Sequence, residues 1–371
     1  MHQRLLAALC AGAMSIAIVV VPASAGTAAA RPGGPAKPPL SGSTAAVAAD
    51  TNGLFGTADP TYDGVYRQSY ALMGLKAAGT DVPASAIAWL VRQQCPDGAF
   101  VAYRPDPTQP CPETDPVAYS GPDTNSTALA ALALMQYGQK SAARRAIAWL
   151  ASIQLAGGGW GYVKGSPPDS VSTALVLEAL EEAPGNAKAR ARAIAWVSRQ
   201  IAPCDAPEDE RYGIHYQPGL MPDAISSSQA LLGLANAFPV RARSQHRGAP
   251  KVSCGDNGRP ANAKFSAARW IASKVSASDG SLPDPFAPGS ADWNSTALGV
   301  VGLVASGTSG RATDLAIAAL KKHAEDYVSN GTADKPAALG TLMLAAVATG
   351  NNPSDFGGID LPVRLLSTLQ S

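Results

Sequence analysis

What this 371-residue chain has little of narrows its function before any motif is read. Charged residues make up 15%, against about 25% in ordinary soluble domains. The one basic loop, "PVRARSQHRGAPK" from Pro239, is short and broken by Pro and Gly. Nucleic acid binding, which needs clustered Lys and Arg to displace counterions from phosphates, is therefore not expected. Histidine is scarce: after His2 only His215, His246 and His323 remain, and none is spaced with a cysteine as a zinc ligand pair would be. No Cys-x-x-Cys pair occurs, so neither a metal nor a cofactor is expected. A Gly-x-Ser-x-Gly elbow ahead of a helix, the mark of one hydrolase class, is also missing. Past residue 25 no apolar stretch is long enough to span a bilayer.

What is present begins with an export signal over residues 1–25. Arg4 supplies the positive start, Leu5 to Val21 the apolar run, and Ala23-Ser24-Ala25 a small-residue cleavage site. A retained anchor is the alternative, but Pro22 and the small-residue run that follows lack basic stop-transfer flanks. Cleavage removes Arg4 and no acid, so 28 basic residues face 28 acidic ones in a neutral mature chain. Residues 26–55 read as a disordered Ala/Pro/Gly-rich linker, and residues 56–371 as the folded domain. The expected product is secreted and monomeric. Four cysteines remain, Cys95, Cys111, Cys204 and Cys254, an even count that in an exported chain favours two disulfides. Of three possible pairings, Cys95 with Cys111 and Cys204 with Cys254 are preferred, because each closes a Pro-rich loop without helical periodicity.

The folded part repeats itself. "DTNSTALAALAL" from Asp123 returns as "DWNSTALGVVGL" from Asp292, and more loosely as "DSVSTALVLEAL" from Asp169, "DAISSSQALLGL" from Asp223 and "DKPAALGTLMLA" from Asp334. A sixth copy, "DGVYRQSYALMGL" from Asp63, has its Asp displaced by one position. Between copies lie "AIAWL" at Ala86 and Ala146, "AIAWV" at Ala193 and "AARWI" at Ala267, with apolar residues at three- and four-residue spacing and Arg and Lys on the other face. Glycine turns follow, as in "QCPDGAF" from Gln94 and "QLAGGGW" from Gln154. The unit is an Asp-capped helix, a short link, a Trp-bearing helix and a glycine turn. The Asp-type helices are apolar nearly all round and belong inside, while the Trp-type helices carry the charge and belong outside. Six such pairs predict an all-α, closed α/α toroid of six helical hairpins.

The Gln-x-x-Asp/Gly-Gly-x-aromatic turns and the Asp-x-x-x-Thr-Ala-Leu helices resemble the prenyltransferase and squalene cyclase repeat family over residues 56–371. That family's α/α toroid is shared by terpenoid cyclases, protein prenyltransferase β chains, complement thioester domains and cobalamin carriers. The resemblance implies the fold more than an activity, since the fold serves both enzymes and carriers. The copies at Asp123 and Asp292 are similar to the Asp-x-Asp-Asp-Thr-Ala signature of class II terpenoid cyclases, whose middle Asp donates the proton. Here that position is Asn125 in one copy and Asn294 in the other. An amide is no general acid near neutral pH, so the resemblance supports the fold and undercuts the cyclase reaction.

If all inner helices start at one end, Asp123, Asp169, Asp223, Asp292 and Asp334 ring the mouth of a central cavity. Their first role is to cap helix N-termini; contact with ligand is the second. Asn125, Trp293 and Asn294 sit in the same motif. Tyr103, Tyr162, Tyr212, His215 and Tyr216 fall in loops at that end, and Trp160 closes a glycine turn. These residues form the candidate ligand-binding mouth. The reading they support is a non-catalytic toroid that binds a small, partly apolar molecule or a secreted partner there. An enzyme is the alternative: a degenerate terpenoid cyclase relative, or a glycoside hydrolase or lyase acting through two ring Asp residues at an inverting separation. A bore filled by large side chains would favour a third reading, a structural scaffold.

Overall fold

Four inner helices start at a carboxylate. Asp123, Asp169 and Asp223 each accept a hydrogen bond at 2.7 Å from the backbone N–H three residues on, and Asp292 does so at 2.8 Å. The Thr or Ser one position further ties the helix to the preceding turn. The Thr127 hydroxyl oxygen accepts from Phe100 N–H at 2.9 Å, and the Thr173 oxygen from Trp160 N–H at 3.0 Å. Ser227 and Thr296 do the same for Ile214 and Leu282. The spacing Asp-x-x-x-Thr is thus a two-point clamp: the Asp satisfies an orphan first-turn donor, and the Thr satisfies a donor of the incoming turn.

The computed structural model describes residues 51–243, 251–308 and 310–371. The export signal, most of the linker and His246 lie outside the described residues. In chain order the helices are α1 (Gly64–Ala77), α2 (Ala84–Arg92), α3 (Thr124–Gln136), α4 (Lys140–Ser152), α5 (Ser170–Glu181), α6 (Ala187–Arg199), α7 (Ala224–Ala235), α8 (Ala263–Ala277), α9 (Trp293–Ala305), α10 (Arg311–Lys322), α11 (Ala324–Val328), α12 (Pro336–Ala348) and α13 (Leu361–Leu366). A two-residue hairpin, β1 (Leu282–Pro283) with β2 (Ala291–Asp292), precedes α9. No helix among the described residues is long and apolar enough to cross a membrane.

α1, α3, α5, α7, α9 and α12 form the inner ring, each packed on the next, and α12 packs back on α1. α2, α4, α6, α8, α10 and α13 lie outside, each against the inner helix it follows. Burial matches the composition. Every residue of α3 from Thr124 to Leu134 is buried, whereas α2 buries only Ala86, Trp89 and Leu90. The tryptophans of the outer helices, Trp89, Trp149, Trp196 and Trp270, face inward and are at most 9% exposed.

Two devices close the ring. At the α1–α12 seam, Gly74 and Gly340 let the backbones meet: a Cβ on Gly340 would lie 2.2 Å from the Tyr70 carbonyl oxygen. The chain ends also join, because Gly53 N–H donates to the Gln370 carbonyl and Gln370 N–H to that of Leu54, both at 2.9 Å. Leu54 and Phe55 are fully buried, so the packed fold begins ahead of residue 56. Glutamines link neighbouring hairpins. Gln94 Nε2 donates to the carbonyls of Gly98 and Ala142, and Gln154 Nε2 to those of Gly158 and Ala189. The disulfides are Cys95–Cys111 and Cys204–Cys254.

Two details depart from the repeat. Asp334 does not cap α12, whose first turn begins with Lys335 and Pro336; its carboxylate instead accepts two hydrogen bonds from Arg364, at 2.9 and 2.7 Å. With Lys335 in the N-cap position the helix starts one residue later than in the other copies, so the Asp334 carboxylate is out of capping register and pairs with the guanidinium instead. Asp63 stands at the start of α1 without capping it, and lies 3.7 Å from the buried Arg67 guanidinium.

Candidate functional site

Because the inner helices run the same way, their first turns gather at one end of the ring. There a pit of about 30 Å³ is lined by Tyr62, Tyr66 and Tyr70 from α1 and its approach, and by Asp123, Asn125 and Ser126 at the start of α3. Tyr162, Val171, Leu175, Ile225, Gln229, Asn294, Ser295 and Leu298 complete it. Such a volume holds about two waters. The bore beneath is occupied by protein. Tyr70 and Tyr327 are 1% and 8% exposed, and the Tyr327 hydroxyl donates to Asn294 Oδ1 at 3.0 Å. Tyr66 is hydrogen-bonded to Asn294 and Tyr70, and burial pushes the phenols of Tyr66, Tyr70 and Tyr327 well above the usual tyrosine range.

Of the residues chosen from sequence, the pit brings together Asp123, Asn125, Asn294 and Tyr162. Asp123 is 1% exposed; burial raises its carboxyl from 3.8 to about 7, against the pull of hydrogen bonds from Ser126 and Asn125 N–H. Asn125 is 7% exposed, and its Oδ1 has no hydrogen-bond donor among the described residues. Asp169, Asp223 and Asp292 stand around the mouth as caps, outside the pit. The Ser172, Ser226 and Ser295 hydroxyls donate to them at 2.8, 2.7 and 2.5 Å. Burial raises Asp169 to about 7 and Asp223 to about 6, and Asp292 also lies above its ordinary value.

The other candidates are employed elsewhere. Trp293 stacks on His323, with ring centroids 4.7 Å apart. Tyr103 stacks on Trp89 at 6.4 Å, and Trp160 is buried with its indole N–H donating to the Leu150 carbonyl at 2.7 Å. The His215 carbonyl accepts from the Ser170 hydroxyl at 2.6 Å and the Tyr216 carbonyl from Ser170 N–H at 2.9 Å. The His215 ring donates through Nδ1 to the Leu220 carbonyl. Tyr212 forms a turn with φ of 75°.

Sequence reasoning missed Tyr62, Tyr66, Tyr70, Gln229, Tyr327 and Glu178. Glu178 is the most unusual of them: on an inner helix and 2% exposed, it accepts from Gln229 Nε2 at 2.8 Å, while Oε2 has no partner among the described residues. Burial holds its carboxyl well above the usual range. One carboxylate inside the otherwise apolar "TALVLEAL" was the available signal.

No family model and no curated protein matches the chain. Solved structures do. An ent-copalyl diphosphate synthase from Streptomyces platensis aligns over 78% of this chain at 15% identity and TM-score 0.50. This chain spans about half of that one, 51% of its length. The type II terpene cyclase MstE from Scytonema, solved with its substrate geranylgeranyl dihydroxybenzoate, aligns over 81% of this chain and 92% of its own at 13% identity and TM-score 0.50. Identity this low speaks for architecture alone, and what the alignment, the closed inner ring and the capped repeat establish together is a terpenoid cyclase-like α/α toroid fold.

Proposed function

We propose that the protein is an exported, non-catalytic toroid that captures a small, partly apolar molecule at the mouth of its ring. The filled bore, where Tyr66, Tyr70 and Gln229 leave about 30 Å³ and an enclosed organic ligand needs about 300–1,000 Å³, speaks against catalysis on an enclosed substrate and by itself suits a scaffold. The observation that carries capture over scaffold is Asn125 Oδ1 at the mouth, buried and without a donor among the described residues. A polyene could not be folded there. Apolar side chains instead stand exposed at the mouth. Tyr62, Val117, Met221 and Phe286, at 72%, 86%, 61% and 38% exposure, lie in the loops that lead into α1, α3, α7 and α9. Export is supported by the signal-like start and by the two disulfides, bonds that persist in oxidising compartments.

An enzyme is the second reading, and one observation favours it. Asp123 lines the pit with a carboxyl raised to about 7, the kind of group that can deliver a proton. Mass spectrometry of small molecules that stay with the natively purified, secreted protein tests the first reading, with the double variant D123N/D292N as its partner. Retained ligand in wild type and variant supports capture. Turnover of any retained or added polyprenyl compound by wild type, abolished in the variant, would replace capture with catalysis.

A further inference from the structure

The pit holds a hydrogen-bond acceptor that nothing among the described residues satisfies. Asn125 Oδ1, nine-tenths buried, meets no donor, and Asp123 contributes a carboxyl beside it. Four phenol rings add their oxygens and their faces, and no Lys, Arg or His is among the lining residues. The positive partial charges of the helix N-termini, which elsewhere attract anions, are already met at α3, α5, α7 and α9 by Asp123, Asp169, Asp223 and Asp292. An anionic guest would face those carboxyls without a counter-charge.

A guest that meets this open acceptor and the carboxyl beside it donates hydrogen bonds and carries positive charge. The ammonium group does so with three N–H bonds, and tyrosine faces favour it further. Size points the same way, since about 30 Å³ takes one head group of water-like dimensions and no ring or chain. Among the described residues no three His, Cys, Asp or Glu side chains are placed to hold a metal ion. Tyr62 joins the pit to the solvent, and the exposed Met221 and Phe286, in the loops that lead into α7 and α9, offer apolar surface at that end of the ring for the remainder of the molecule.

Resting on the capture reading above, we infer that the ligand is a primary alkylammonium, its charged head in the pit beside Asn125 and Asp123 and its aliphatic body on the rim. Asn125 supplies the waiting acceptor. Gln229, held from behind by Glu178, fixes the inner wall. The inference selects for charge sign, head size and chain length at once.

Calorimetric titration at pH 8 with hexylammonium, butylammonium, hexanol and hexanoate tests this. Hexylammonium should bind at least tenfold more tightly than hexanol, and hexanoate should not bind. Each methylene between butyl and hexyl should add about fourfold. Asn125→Leu, which fills the pit and removes the acceptor, should bring hexylammonium down to the affinity of hexanol while leaving hexanol unchanged. Met221→Ser should flatten the chain-length dependence with the ammonium preference retained, so that a misfolded Asn125 variant cannot decide the matter alone. Equal affinity for hexanol and hexylammonium, or binding of hexanoate in their place, would overturn the inference. So would no binding of any amine by a protein that still retains another molecule on purification, and in that case capture at the mouth stands.

Discussion

The seam between α1 and α12 offers the sharpest test of ring closure. In Gly340→Ala the new Cβ would lie 2.2 Å from the Tyr70 oxygen, 2.5 Å from its carbonyl carbon and 2.8 Å from Ala71 N. All three atoms are backbone, so no rotamer change relieves the contact, and the two helices must part by about 1 Å to restore ordinary packing. Overpacking of this kind costs about 1–3 kcal/mol. Rigid neighbours place it toward the upper end, and Ala recovers about 1 kcal/mol over Gly through helix propensity. The expected net loss is about 2 kcal/mol. Gly299→Ala on α9 is the matched control, since its Cβ would meet Ile271, Ser228 and Leu282 side-chain atoms at 3.3 to 3.4 Å, and these can yield. With the same helix-propensity gain set against this smaller clash, that variant should lie within about 1 kcal/mol of wild type.

The assay is urea unfolding followed by circular dichroism with the disulfides intact. Gly74→Ala opens the same seam from the other side, where its Cβ would meet the Gly340 oxygen at 2.5 Å. Because one displacement accommodates both methyl groups, the double variant should lose less than the summed single losses. Equal stability of Gly340→Ala and Gly299→Ala would mean that α1 and α12 do not touch as described, and the closed ring would fall with it.

Three further outcomes follow from the same structure. Asp123 and Asp169 rise from 3.8 to about 7 on folding, so the folded state binds more protons across that window and stability should fall as pH rises from about 4 to 7; Asp123→Asn keeps a capping side chain and should remove a share of that slope worth up to about 4 kcal/mol, as read from denaturation midpoints at several pH values. Asp169→Ala should cost about 1–2 kcal/mol, because it strips a buried cap from Ser172 N–H, whereas Asp334→Ala should cost under about 1 kcal/mol, as it loses only a partly exposed pair with Arg364. Replacing Cys95 and Cys111 by Ser should lower stability by about 3 kcal/mol, and replacing Cys204 and Cys254 by about 4, since the second pair closes the longer loop; thermal unfolding with and without reductant checks the order.

How much was legible depended on whether a residue acts locally. The Asp-x-x-x-Thr clamp and the Gln–Gly turn make their hydrogen bonds within a hairpin or to its neighbour, so they recur in sequence at fixed spacing and reveal the toroid. The pit is different. A helix such as α5, covered on every side, carries no periodic signal for which face lines the bore, so Leu175 and Glu178 could not be sorted from Val176 and Leu177. Tyr327 reaches the centre from α11, a five-residue helix outside the repeat. Asp334 matched the motif in spacing, but α12 starts one residue later than the other inner helices, with Lys335 in the N-cap position.

The phrase written twice, at Asp123 and Asp292, shows where equivalence between repeats ends. Its Asp and Thr do the same work in both copies. Its Asn does not: Asn294 Oδ1 receives the Tyr327 hydroxyl, while Asn125 Oδ1 receives nothing. An acceptor left open on one side of a ring whose other side is satisfied gives the pit a direction, and that asymmetry separates a binding site from a packed centre. Tyr327→Phe removes one of the hydroxyls that hold Asn294, at a cost of about 1 kcal/mol. If the open amide is what recruits a cation, this variant should bind hexylammonium at least as tightly as wild type, because a second carbonyl is freed toward the same pit. Weakened binding would show that the tyrosine hydroxyls, and not the amide oxygens, make the contact.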